Sequence, residues 1–305
     1  MNIPKFIMMV GLVASGKSHM ATKLATNHNA TIFSSDALRE ELFDDINDQE
    51  HNQELFVELH KRIKDCLRSG KSAIYDATNL NYKKRMSFLA ELKNIPCEKT
   101  CVLMATPYEE CLRRNDERDR QVPEYVIKRM YMSFDIPHTF EGWDDVEIVY
   151  SQEASSTYRS PFTWVRSVRH YNQHNSHHSL TLGEHCENAL EYLCANNKNP
   201  SDTLKFATLL HDCGKKFCQT FQNAKGEITE QAHYYGHEKV GSYDSLFYKT
   251  TGDPIDIAVL IRWHMQPYFW ERDNNEKLHN KYKNLWGDKL YNNIMALHEA
   301  DKNAH

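Results

Sequence analysis

Two groups of residues in this chain have types and spacings that could do chemistry. The first is Gly11-Leu-Val-Ala-Ser15-Gly16-Lys17-Ser18, which matches G-x-x-x-x-G-K-[ST]. Glycines let a backbone turn wrap anionic oxygens with its N–H groups pointing inward, and a helix that starts there adds the positive end of its dipole. Gly11, Ser15, Gly16, Lys17 and Ser18 are therefore the expected nucleotide contacts, with Lys17 on the β- and γ-phosphates and the Ser18 hydroxyl on Mg²⁺. An unliganded glycine turn is the bland alternative; the apolar strand before the motif and the amphipathic helix after it weigh against that reading. A triphosphate cradle names no acceptor. Asp36 follows the strand signal Thr31–Ser34 and could take a proton from an attacking hydroxyl, unless it serves only as a helix N-cap. Arg39, one turn on, could hold an anionic group. Further along, Arg114 and Arg118 are spaced i,i+4, placing both on one helical face, where arginine forks could close over transferring oxygens. Acids interleave with them, so a salt-bridged surface helix is the competing reading.

The second group is made of imidazoles and carboxylates. Of 17 histidines, five precede residue 160 and twelve follow it, which suggests two domains with different chemistry. His185, His211-Asp212, His233, His237, His264 and Asp301 occur in that order. Imidazole nitrogen and carboxylate oxygen together suit divalent Mn, Fe, Co, Ni or Zn. Any one of these histidines could be a satisfied core group; the ordered set is more specific. His177 and His178 could substitute as ligands, and His233 could face the site if its segment is helical. His298 reads as an exposed helix position, and Cys213 and Cys218 are too far apart for a C-x₂-C zinc half-site.

The elements that must position these groups can be read from periodicity. Phe6–Val10, Thr31–Ser34, Ser72–Tyr75 and Cys101–Met104 are short apolar runs expected as buried strands. Between them, Leu55, Phe56, Leu59, Ile63 and Leu67 recur at helical spacing, with Gly70 just past the end. Alternating strand and helix implies a parallel sheet covered on both faces. After residue 161 the strand signal fades, and 180–193, 202–211, 237–247, 255–264 and 289–301 are expected as helices. The serine-rich stretch SQEASSTYRS marks a boundary. The expected organisation is an α/β P-loop domain over 1–150, a linker over 151–164 and an all-α bundle over 165–305. The 305 residues suffice for two domains, and 40% hydrophobic with 26% charged content excludes collagen-like and largely disordered classes. The net charge of −5 does not advertise nucleic-acid binding by the chain as a whole. Eight cysteines without a dense framework fit reduced thiols. No apolar run approaches a membrane span, and Phe6–Ala14, which could pass for a signal core, leads straight into the Gly-Lys-Ser turn. The expected location is cytoplasmic, without a membrane partner.

SSDALREEL, DATNLNYKKR and CLRRNDERDRQVPEYVIKRMYMSF, spaced as they are after GLVASGKS, resemble the kinase domain of phage polynucleotide kinase-phosphatase over roughly residues 5–140. The resemblance implies that Lys17 and Ser18 serve ATP and Mg²⁺. It implies Asp36 as the general base for a 5′-hydroxyl, Arg39 as a contact to the acceptor's phosphate, and Arg114 and Arg118 as lid arginines. Ala77 stands where the phage motif has an acidic residue, with Asp76 one place earlier, and the D-x-D-x-[TV] motif of that family's second domain does not occur here. Instead SLTLGEHCENAL, LLHDCGKK, YYGHEKVGS, IRWHM and LHEAD resemble the HD phosphohydrolase superfamily over roughly 165–305. That resemblance implies a metal core of His185, His211, Asp212 and Asp301. In the binuclear branch His237 and His264 would hold a second ion bridged by Asp212, and Lys215 would bind the scissile phosphate.

A kinase and a phosphatase in one chain avoid futility by acting on different positions, which polynucleotide ends supply. The expected function is nucleic-acid end healing. ATP-dependent phosphorylation of a 5′-OH would pair with metal-dependent removal of a 2′,3′-cyclic, 2′- or 3′-phosphate, probing RNA or DNA ends as substrates for RNA repair and a downstream ligase. ATP, Mg²⁺ at the kinase site and one or two Mn²⁺, Ni²⁺, Co²⁺, Fe²⁺ or Zn²⁺ ions at the second site are implied. A nucleotide or small-metabolite kinase fused to a nucleotidase is the alternative, favoured by the acidic net charge; an ATP-gated binder of nucleic-acid ends would bind without turnover.

Overall fold

The structure is a computed structural model that describes residues 3–154, 158–175 and 179–304. These form two compact units. One reaches to Met130 and resumes over Pro137–Ala154; the other comprises Tyr131–Ile136 and the described residues from 158 onward. No helix among the described residues is long and apolar enough to cross a membrane.

The first unit is an α/β domain built on a parallel sheet. Its five strands are β1 (Lys5–Val10), β2 (Ala30–Ser34), β3 (Ser72–Asp76), β4 (Glu98–Ala105) and β5 (Asp145–Tyr150), in the order β2-β3-β1-β4-β5. Every pairing is parallel, so each crossover needs a covering helix. These are α1 (Lys17–His28), α2 (Ser35–Phe43), α3 (Asn52–Arg68), α4 (Tyr82–Glu91), α5 (Tyr108–Asp116) and α6 (Glu124–Tyr131). The sheet core carries Ile7, Met9, Ile74, Val102 and Met104, on which Ala21 of α1 packs. The apolar stripe of α3 buries Leu55, Leu59, Ile63 and Leu67. β5 was not among the expected strands; its alternation of exposed and half-buried residues, DVEIVY, is that of a sheet edge rather than a buried run.

The second unit contains α7 (Pro161–Ser167), α8 (Leu182–Asn196), α9 (Asp202–Leu210), α10 (Lys215–Cys218), α11 (His237–Asp244), α12 (Pro254–Trp263), α13 (Gln266–Asp273) and α14 (Glu276–Lys302), the last broken at Gly287. Local chemistry sets the starts. Thr181 and Glu184 form a reciprocal capping box at α8, Ser201 caps α9, and Asp253 caps α12 ahead of Pro254. The unit is helical but not all-α: β6 (Thr220–Gln222) and β7 (Ile228–His233) form an antiparallel hairpin. The expectation of an all-α bundle missed it because the strands are polar and short, TFQ and ITEQAH, and bury little. The expected linker also gives way at its end, where Ser160-Pro161 starts α7 and buries Trp164 and Val165.

Candidate functional site

In the first unit the phosphate-type turn connects β1 to α1. Gly16 caps α1 with φ of 93°, a left-handed conformation that costs an L side chain and not glycine. The Gly11 N–H donates to the Thr78 carbonyl at 3.2 Å, tying the turn to the chain leaving β3. Lys17 is buried, and its Nζ donates to the Leu12 carbonyl at 2.6 Å, folding over its own loop. Burial holds its pKa down to about 8. The Ser15 hydroxyl is enclosed with no hydrogen-bond partner, while the Ser15 carbonyl accepts from Thr106 Oγ1 at 3.0 Å. Ser18 hydrogen-bonds the carboxyl of Asp76 at the end of β3, and burial raises the Asp76 pKa. A left-handed glycine, an unsatisfied hydroxyl, a lysine and a serine–carboxylate pair at one turn fit a nucleotide with Mg²⁺.

The acceptor side lies at the start of α2. Ser34, not Asp36, is the N-cap, its Oγ accepting from the Ala37 N–H, which leaves the Asp36 carboxylate available for other contacts. Arg39 donates to Asp36 Oδ1 at 3.1 Å and to Asn52 Oδ1 at 3.0 Å. Arg120 donates to Asp36 Oδ2 at 3.2 Å, to Asn47 Oδ1 at 2.8 Å and to the Ile46 carbonyl at 3.0 Å. Both carboxylate oxygens of Asp36 are thus held by guanidiniums. Arg114 donates to Glu110 at 2.6 Å and to Glu153 at 2.5 Å, and its Nη1 lies 3.8 Å from where a Cβ on Gly16 would sit. Arg118 does not share a helical face with it, because α5 ends at Asp116; its charge is nevertheless felt at Lys17. Arg120 was not singled out from sequence. Three arginines stand within seven residues, and spacing alone could not say which one reaches Asp36.

The second unit draws its ligand-type residues from five places: α8 (His185), the turn after α9 (His211, Asp212), the first residue of α11 (His237), the turn after α12 (His264) and the last turns of α14 (Asp301). They fall into two buried groups, His185/His211/Asp301 and Asp212/His237/His264, whose ligand atoms lie within 4.8 Å of one another in each. Asp212 joins them. Its Oδ2 is 3.3 Å from His211 Nε2 and 3.5 Å from His185 Nε2, and its Oδ1 is 3.3 Å from His237 Nε2. Asp301 Oδ1 is 3.0 Å from His185 Nε2. Lys215 Nζ lies 2.7 Å from Asp212 Oδ2 and donates to Gln173 Oε1 at 2.8 Å.

The protonation pattern follows from the other ring nitrogens. Each Nδ1 faces a main-chain carbonyl: Ala304 for His185 at 3.1 Å, Thr208 for His211 at 2.7 Å, Tyr234 for His237 at 2.8 Å and Ile261 for His264 at 2.6 Å. A carbonyl only accepts, so Nδ1 carries the proton and Nε2 presents its lone pair inward. The Nε2 atoms of His185 and His211 are 3.2 Å apart, and those of His237 and His264 are 3.3 Å apart. Paired lone pairs at that distance call for a shared proton or cation. Electrostatics agree. Burial opposes a charge on His211, yet Asp212 and Asp301 outweigh it and raise its pKa to about 10, whereas burial and His237 push His264 down to about 3. Burial also opposes ionising Asp212, but Lys215 and His211 hold it well below the usual range. Six inward donors of nitrogen and carboxylate oxygen fit two divalent transition ions.

Close approach makes this assembly possible. At Gly214 a Cβ would lie 2.2 Å from the His237 carbonyl oxygen and 2.6 Å from the Gly241 nitrogen, so only glycine lets Asp212 and His237 converge. The remaining expectations divide. His233 lies in neither group; it stacks on Tyr235. His177 and His178 lie outside the described residues. His298 is buried rather than exposed and its Nε2 bonds Glu271 at 3.0 Å. Cys213 and Cys218 are buried and form no disulfide. Gln173 and Tyr268, whose hydroxyl donates to Asp301 at 3.2 Å, carry no spacing signal that sequence reading could have used.

Comparison with known proteins bears on the first unit. A family model described as an AAA domain matches residues 6–137. The chain is 29% identical over 143 residues to an L-seryl-tRNA(Sec) kinase of Methanococcus maripaludis, a match that takes in 45% of this chain and 55% of that protein. Among solved structures, a chain of the Pnkp1/Rnl/Hen1 RNA repair complex is 20% identical with a TM-score of 0.37, covering 43% of this chain and 43% of that one. A gluconokinase of Sinorhizobium meliloti is 14% identical with a TM-score of 0.37, covering 50% and 85%. The chain spans about half the length of the curated relative it matches, and its first unit is an α/β P-loop domain of the kinase type.

Proposed function

We propose that this chain heals nucleic-acid ends with two chemistries: ATP-dependent phosphorylation of a 5′-hydroxyl in the first unit and metal-dependent hydrolysis of a 2′,3′-cyclic, 2′- or 3′-phosphate in the second, an HD-type phosphohydrolase. The observation that carries it is the pair of buried ligand groups joined by Asp212 in a chain that also holds a phosphate turn with a carboxylate between two arginines.

In the first reaction the acceptor oxygen forms a bond to the γ-phosphorus, the bond to the β–γ bridging oxygen breaks, and ADP leaves. Asp36 takes the hydroxyl proton. An acceptor phosphate draws the guanidinium of Arg39, freeing a carboxylate oxygen for that task. Lys17 leaves the Leu12 carbonyl for the β- and γ-phosphates, and Arg114 and Arg118 meet the charge on the transferring oxygens. Ser18 and Asp76 would hold Mg²⁺, which neutralises charge on the phosphate oxygens. In the second reaction His185, His211, Asp301 and Asp212 would hold one ion, and Asp212, His237 and His264 another. Bound there, such ions clamp a phosphate and acidify a coordinated water. Lys215, steadied by Gln173, is placed for the scissile phosphate, and the four carbonyl-bound Nδ1 protons keep the rings in the ligating tautomer.

The test is one RNA with a 5′-OH and a 2′,3′-cyclic phosphate, incubated with ATP and a panel of divalent ions, with both termini read. Gain of a 5′-phosphate and loss of the cyclic phosphate is expected. Phosphorylation of free nucleosides with no action on the oligonucleotide would replace this reading with the small-metabolite kinase and nucleotidase, which the net charge of −5 favours.

A further inference from the structure

The hairpin β6–β7 is not needed to build the ligand cage, yet both its ends are tied to it. β6 begins two residues after α10, which opens with Lys215, and β7 ends four residues before His237. The connecting Tyr234 lies under Lys215, whose Nζ is 5.6 Å from the ring centroid, and its carbonyl accepts from His237. At the base of this arm stand two aromatic–imidazole pairs. Tyr235 is stacked on His233, centroids 5.4 Å apart and planes 7° apart; Phe221 meets His174 edge-on at 5.9 Å. The backbone holds them there: Thr220 pairs with His233, and the next N–H along β7, that of Ala232, donates to the His174 carbonyl at 2.8 Å. Tyr235 is 47% exposed and Phe221 42% exposed. His233 Nε2 is enclosed and has no hydrogen-bond partner, a polar atom aimed at nothing the described residues supply.

We propose that this arm stacks the nucleobase of the terminal nucleotide whose phosphate enters the ligand cage. The proposal rests on the end-healing reading and adds to it a base-binding subsite. Isolated rings backed by imidazoles suit a flat heteroaromatic ligand better than a continuous aliphatic partner surface. Ring faces accept any base, which suits an enzyme that meets ends of any sequence. Tyr235 stands two residues from His237, so a ring there lies within one nucleotide's reach of the cage.

Two oligonucleotides test this, each ending in a 3′-phosphate and differing only in whether the last nucleotide carries a base or is abasic. The native chain is expected to show a KM about tenfold lower for the base-bearing end. Tyr235→Ala and Phe221→Ala should bring the ratio of the two KM values close to one, while Tyr235→Phe and Phe162→Ala, the latter an exposed ring on α7, keep it. A 3′-terminal 2-aminopurine whose fluorescence is quenched by the native chain and not by Tyr235→Ala reads stacking without turnover. A native ratio of one, or variants that slow both substrates in proportion, would overturn the subsite. Quenching without hydrolysis would keep the subsite and overturn the hydrolase reading.

Discussion

Single atoms decide what the second unit can do. Four imidazoles donate their Nδ1–H to main-chain carbonyls, so on the proposed reading their inward nitrogens would act as ligands to a cation. His211→Ala removes one such nitrogen, and Asp212→Asn weakens the carboxylate shared by both groups. Each should lower bound transition metal and cut phosphohydrolysis by on the order of 10²-fold or more, while 5′-phosphorylation stays within about twofold. His233→Ala should leave metal content unchanged, since that ring lies in neither group. Elemental analysis beside the two assays reads the outcome; full metal content in Asp212→Asn would defeat the ligand assignment. The converse holds in the first unit. Lys17→Ala and Asp36→Ala should abolish phosphorylation and spare hydrolysis, and equal loss of both activities would contradict separate sites.

At the scale of elements, two packing features hold the sites in shape. The guanidinium of Arg85 in α4 and the carboxylate of Glu141 are both fully buried, with bonds of 2.7 and 2.6 Å. Trp143 Nε1 also donates to Glu141 at 3.0 Å, and Arg85 donates to the Asn79 carbonyl at 2.8 Å, beside the chain that receives the Gly11 N–H. Arg85→Met alone leaves a buried carboxylate facing no charge and should destabilise the first unit by about 3–5 kcal/mol in denaturant unfolding. Arg85→Met with Glu141→Leu should recover much of that loss, and a double variant no better than the single one would refute the pairing. Gly214→Ala forces a methyl against the His237 carbonyl and should cost about 1–3 kcal/mol together with metal affinity. Legibility in the sequence tracks this kind of detail. β1, β3 and β4 are legible as apolar runs because they lie inside the parallel sheet, buried on both faces; β2, expected as a buried strand, is instead the other edge, with Thr31 and Ile32 exposed, and its β-branched residues made it legible. β5 and the hairpin were not legible, since an edge strand and a solvated ribbon need no such runs. The helix expected over 180–193 begins at Leu182, where the Thr181–Glu184 capping box sets its start. The pairing of Arg85 with Glu141 spans 56 residues and leaves no local trace.

Over the whole molecule, the distribution of residue types foretold more than any one motif. Of the twelve histidines after residue 160, four, His185, His211, His237 and His264, come together in the two buried groups. Order alone did not give the carboxylate's position between two groups, which only the family resemblance implied; it depends on turns at His211 and His264 and on the glycine contact behind Asp212. On the proposed reading the two sites would draw on different cations, since the P-loop turn offers oxygen donors and the second cage mostly nitrogen. Chelation should therefore separate the activities. A chain treated with a strong chelator and then freed of it should regain 5′-phosphorylation on adding Mg²⁺ alone, while hydrolysis stays low. Mn²⁺, Ni²⁺ or Co²⁺ should restore hydrolysis, and binding should raise the melting temperature of the second unit through mass action on the folded state. Parallel assays of both termini with calorimetry decide it. Hydrolysis returning in full with Mg²⁺ alone would mean that the imidazoles are not the ligands that matter, and the second unit would need another chemistry.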